Sequence, residues 1–165
     1  MLHRYVTNTV WFLGLVLLQI LVLNNIHILG YATPFLYVYF IIQYETSVSR
    51  NTLMIIAFAI GIAIDTFSDT PGMNAAASVF LAFLRPFFLR LFTPRDAADE
   101  MTPSMKTLGV SSYLKYLFIS VLSHHLVLYL IMFFSLADIN LLLMKVVGST
   151  ILTFLCIIGI EWARR

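Results

Sequence analysis

Apolar residues along the chain come in long blocks separated by short polar breaks, and the blocks show no period-two alternation. The first block runs from Trp11 to Leu23 and stops at Asn24-Asn25, and the next opens at Ala32 and fades after Tyr44. Blocks of about 15 to 23 residues match the length that carries a helix across a hydrocarbon core of roughly 30 Å. Inside such a core every backbone N–H and C=O needs an internal partner, so the choice lies between helices and a closed barrel. Without alternation the blocks read as helices. The pattern predicts an all-α membrane protein, a compact bundle with spans at residues 5–23, 32–44, 52–67, 72–88, 113–135 and 140–162, forming one integral domain.

The second span is short. At 1.5 Å per residue a helix of about 13 residues reaches only some 20 Å, so the segment is expected to sit in thinned bilayer or to be shielded by neighbouring helices. The longest polar stretch, 93–112, carries mixed charges and two Thr-Pro breaks and reads as a solvated connector.

Composition strengthens the membrane reading. Of 165 residues 61% are hydrophobic and 11% charged, against about a quarter charged in soluble domains. The first block ends without a small-x-small cleavage site, so it is read as a retained span. The lone Cys156 excludes an intramolecular disulfide. Of the ten Lys and Arg residues, all but Lys145 fall on one side of a six-span layout, which predicts cytoplasmic termini. Nucleic-acid binding gains no support from this distribution. Arg85, before Pro86 in the fourth span, is expected to snorkel to the headgroups beside Arg90, with a buried ion pair as the alternative.

Polar residues inside the spans are the candidates for function. Ala57, Gly61 and Asp65 recur at i, i+4 and i+8, which places two small residues and a carboxylate on one helix face. Three uses of Asp65 stand open: a proton relay, packing or capping at the turn before Gly72, and partner docking. Asn8 and Gln19 share a face of the first span and are expected to bond to neighbouring helices. The small residues Ala75 to Ser78 and Gly148 to Thr150 suit close helix packing. His124 and His125 point about 100° apart and so are poorly placed to share a metal. A hydrogen bond from Ser120 to His124, one turn away, favours a structural use over proton handling. No His-Glu-x-x-His, Gly-x-Ser-x-Gly or Walker motif occurs, so an enzyme is not expected, nor a cofactor or metal.

Several short motifs carry a family likeness. Leu18-Gln19-Ile20 in the first span, Pro34-Phe35-Leu36 at the opening of the second, and Phe58-x-x-Gly61-x-x-x-Asp65 followed by Gly72 together resemble the rod-shape-determining MreD family of bacteria. The likeness covers nearly the whole chain in length and span layout. It implies a non-enzymatic part in the cell-elongation machinery that builds the peptidoglycan wall. Implied partners are an MreC-like protein, MreB, RodA and its partner transpeptidase, with membrane lipids around them. Gln19, Phe58, Gly61, Asp65 and Gly72 would then serve helix packing and partner docking. The MreD-like fold in turn resembles the substrate-binding components of energy-coupling-factor vitamin transporters. Such a component is the alternative function, with Asn24, Asn25, His27 and Asp69 as the polar groups available to it. Against it, Gly14 sits among the bulky Val10, Leu17 and Leu18, where such components display small residues.

Overall fold

The computed structural model describes residues 2–26, 32–93, 100–134 and 138–164, without the side chains of 2–9, 11 and 12. The side chain of Asn8 and the whole of His27 therefore lie outside the described residues. All regular elements among the described residues are helices: α1 (Leu2–Leu21), α2 (Val38–Gln43), α3 (Arg50–Ser68), α4 (Met73–Phe92), α5 (Met105–Leu108), α6 (Val110–Phe133) and α7 (Ile139–Ala163). A single 3₁₀ turn, Leu23–Asn25, follows α1. Four of these helices, α3, α4, α6 and α7, are long and apolar enough to cross a membrane. The described residues thus form an all-helical fold, and its four long apolar helices are compatible with a multi-pass membrane protein.

The greatest departure from the sequence pattern lies in the second apolar block. Its helix covers only Val38–Gln43, six residues, and residues 32–35 before it belong to no helix. This segment is nevertheless the centre of the molecule, with Tyr37, Val38, Tyr39, Ile41 and Ile42 fully buried. It runs from a cavity that includes Thr33 to a pocket at the opposite end that includes Gln43. A non-helical chain advances up to about 3.3 Å per residue against 1.5 Å in a helix, so such a stretch can reach further than a pure helix of the same number of residues. A non-helical opening eases the length problem that a short helical span would pose.

Two smaller departures follow. The 93–112 stretch is more than a solvated connector, because Met101 exchanges hydrogen bonds with Thr46 and the short α5 buries Met105 and Leu108. Ser104 opens α5 with a capping box that it shares with Thr107. Meanwhile α4 continues through Pro86 to Phe92, beyond the predicted end at residue 88.

Candidate functional site

Hydrogen-bond partners for a non-helical backbone are scarce in an apolar interior, and leaving one unmade costs several kcal/mol. Side chains supply them here. Gln19 of α1 accepts the Leu36 N–H at 2.8 Å through Oε1 and donates through Nε2 to the Pro34 carbonyl at 2.9 Å. Ser149 and Thr153 of α7 accept the Thr33 and Phe35 N–H groups at 3.1 and 3.0 Å. Pro34 has no N–H to satisfy. Gly148 lets α7 approach closely, since a β-carbon there would lie 3.2 Å from the Ala32 Cβ. Ser149 and Thr153, one turn apart, were not singled out as a pair in the sequence. Their spacing on an apolar helix is the signal that could have found them.

The second construction joins α3 to α4. Gly72, the N-cap of α4, sits at φ 79° and has no side chain to cap with. Asp65 does the capping from the neighbouring helix instead. Its Oδ1 accepts the Asn74 N–H at 3.0 Å and its Oδ2 the Ala75 N–H, also at 3.0 Å. The Thr70 hydroxyl and the Asn74 side-chain amide add bonds of 2.8 and 2.9 Å to Oδ1. A buried carboxylate is thereby satisfied at the positive end of a helix dipole. Gly61, one turn earlier on α3, makes the approach possible. A β-carbon there would overlap the Ala75 backbone and lie 2.8 Å from the Asn74 carbonyl carbon. Of the three uses open to Asp65, packing and capping is the one the geometry displays.

Asn74 extends this cluster inward. Its Nδ2 faces Asp65, so its Oδ1 faces Tyr37 and accepts the Tyr37 hydroxyl at 3.0 Å. With the Tyr37 proton so committed, His124 Nε2, 2.9 Å away, is the donor to the Tyr37 oxygen. The donors therefore point in one direction, from α6 through the central segment to Asp65. His125 makes separate bonds, from Nδ1 to the Val121 carbonyl at 2.7 Å and at Nε2 with Thr153 at 3.4 Å. The expected Ser120–His124 bond is not formed. Ser120 Oγ and His124 Nδ1 are both buried without a hydrogen-bond partner among the described residues, because the His124 ring turns its Nε2 toward Tyr37.

At the opposite end Arg85 corrects a second expectation. It is buried rather than snorkelling, and donates from Nε to the Ile42 carbonyl at 3.3 Å and from its terminal nitrogen to the Tyr44 carbonyl. Tyr116 also donates to the Ile42 carbonyl, at 2.8 Å. The cause is the brevity of α2, whose last carbonyls end inside the protein and draw a cation from α4. Beside them Glu161 accepts from Tyr39 at 2.7 Å and from Gln43 at 3.0 Å, and Arg164 donates to both of those donors.

The predicted site residues thus separate into groups. Gly61, Asp65 and Gly72 meet at the α3–α4 turn, and Gln19 reaches the same end through Asn24, which bonds Ser68 at 2.7 Å. Phe58 stands apart, pointing outward and half exposed. Among the described residues no group of three or more His, Cys, Asp or Glu side chains gathers as a metal site. No family model, curated protein or solved structure matches the chain.

Proposed function

We propose that the chain is a non-enzymatic membrane component of bacterial cell elongation, acting as the MreD-like proteins it resembles do. In this reading it crosses the inner membrane six times with both termini in the cytoplasm, α1 and the central 32–44 segment supplying the two crossings beyond the four long helices. The observation that carries the reading is the use made of the resembling residues. Gln19, Gly61, Asp65 and Gly72 are consumed in joining helices, while large apolar side chains face outward on the same α3–α4 unit. Ile55, Phe58 and Ile62 line α3, and Phe80, Phe83 and Phe87 line α4, all exposed. Such an arrangement suits a scaffold that communicates through helix faces, and a single helix of an MreC-like protein is the partner proposed for this one.

Co-purification of the tagged protein with an MreC-like partner tests the proposal. Phe58→Ala and Gly61→Leu are expected to lower recovery several-fold, the first with the bundle intact and the second by forcing α3 from α4. Full recovery with both variants, at normal expression, would remove this face from the argument. Reporter fusions at residues 47, 95 and 140 test the topology, the first two reporting cytoplasm and the third periplasm.

A cavity beside Asn24, Asp69 and Lys145 favours one second reading, a substrate-binding subunit of an energy-coupling-factor vitamin transporter. A thermal-shift screen against vitamins separates the two, because a ligand at 100 times its dissociation constant stabilises by about 2.7 kcal/mol.

A further inference from the structure

The cavity named above is open at the surface and has a volume of about 370 Å³, within the range of roughly 300–1,000 Å³ typical of small-ligand sites. It is assembled from five parts of the chain: the turn after α1, the non-helical segment before α2, the α3–α4 turn, α6 and α7. Most polar groups on its wall are already committed. Asn24 bonds Gln19 and Ser68, Asn74 bonds Asp65 and Tyr37, and Tyr129 bonds Ser149 at 2.8 Å.

Two charged groups are not committed. Among the described residues neither the Asp69 carboxylate nor the Lys145 ammonium has a hydrogen bond or an ion pair. The ammonium rests 5.5 Å from the centre of the Phe133 ring, which leaves its three donors free. Asp69 is held in place by its backbone, which ends α3 at φ 50° with its N–H on the Asp65 carbonyl. Lys145 stands in the second turn of α7, about 9 Å from the start of that helix, near enough to that end for its long side chain to reach lipid headgroups if α7 crosses a bilayer. Phe35, Phe67 and Met132 add apolar surface to the wall.

We propose that this cavity binds a zwitterion, with acidic oxygens on Lys145 and a primary ammonium on Asp69. A simple anion would engage Lys145 alone, and a simple cation Asp69 alone. A dipolar ligand satisfies both. Phosphoethanolamine has this chemistry, and it reaches the cavity either as a phospholipid headgroup or as a free solute. The inference neither needs nor tests the elongation reading, since its failure leaves the co-purification result untouched.

The test uses delipidated full-length protein in detergent, with native mass spectrometry as the readout. Dihexanoyl phosphatidylethanolamine, dihexanoyl phosphatidylglycerol and free O-phosphoethanolamine are offered at equal concentration. The ethanolamine lipid is expected to be retained at least tenfold over the glycerol lipid. Asp69→Asn and Lys145→Gln are each expected to reduce that retention at least fivefold with an unchanged melting temperature, Asn being tolerated at a left-handed position. Retention of the lipid alone assigns the site to a membrane headgroup, and equal retention of the free compound assigns it to a soluble zwitterion. Equal retention of the two lipids, retention of no ligand, or undiminished ethanolamine-lipid retention in either variant overturns the proposal. The preference between lipids is read on the parent protein, so it stands even if a variant fails to fold.

Discussion

The carboxylate of Asp65, on the last turn of α3, accepts the backbone N–H of Ala75 at 3.0 Å and so caps a helix to which it does not belong. Because the same side chain also accepts the Asn74 N–H, the two helices share one terminus. Removing a cap costs about 0.5–2 kcal/mol, and stranding buried N–H groups adds about 1–3 kcal/mol. Asp65→Ala is therefore expected to destabilise the protein by about 2–4 kcal/mol, and Asp65→Asn by less, since one oxygen still accepts. Unfolding by sodium dodecyl sulfate in mixed micelles measures both, and equal losses for the two variants would count against the cap.

Gly61 and Gly159 give a paired prediction. A β-carbon at Gly61 overlaps Ala75, whereas one at Gly159 meets nothing within 4 Å. Gly61→Ala is expected to cost about 1–3 kcal/mol, as overpacking does. Gly159→Ala is expected to be neutral or to stabilise by about 0.5–1 kcal/mol, as alanine replacing a helical glycine does. The same denaturation assay separates them, and a Gly61→Ala protein as stable as the parent would mean that α3 and α4 do not pack this closely.

Gln19 satisfies both a donor and an acceptor of the non-helical segment before α2. In Gln19→Leu the Leu36 N–H and the Pro34 carbonyl lose those partners, at about 1–3 kcal/mol for each buried group. Amide hydrogen exchange near Leu36 is expected to accelerate more than exchange in the middle of α6. A uniform acceleration throughout the protein would show that Gln19 supports overall stability without holding this segment.

Arg85 and Arg90 lie on one helix with opposite surroundings, the first buried and the second exposed. Cysteine placed at each position reports the difference, with the parent Cys156 replaced by Ala. Arg90→Cys is expected to react readily with a charged maleimide in inside-out membrane vesicles, and Arg85→Cys at least tenfold more slowly. Comparable rates would restore a snorkelling Arg85.

Much of the fold was legible because membrane-length apolar blocks and helical periodicity are local properties. The Ala57, Gly61 and Asp65 face could be read from spacing alone, and all three residues are buried on α3. Arg85 was misread because a basic residue near a helix end resembles an interfacial anchor until the carbonyls it serves are known. Those carbonyls belong to Ile42 and Tyr44, more than forty positions away. Ser120 and His124 illustrate the converse, a local pair with good spacing that loses to Tyr37, a distant residue with a better-placed hydroxyl.

By itself, the sequence determined that the long apolar blocks are helical and of membrane-spanning length, because burying blocks of this length leaves the backbone to bond with itself. It also marked Gln19, Gly61 and Asp65, since polar and minimal side chains within such blocks need a reason to be there. Tertiary structure alone decided the conformation of residues 32–44. An isolated apolar stretch satisfies its backbone by coiling into a helix, and Thr33, Phe35 and Leu36 are released from that requirement by Ser149, Thr153 and Gln19. Those partners are brought together by folding, so the non-helical path they permit is written in no single segment of the chain.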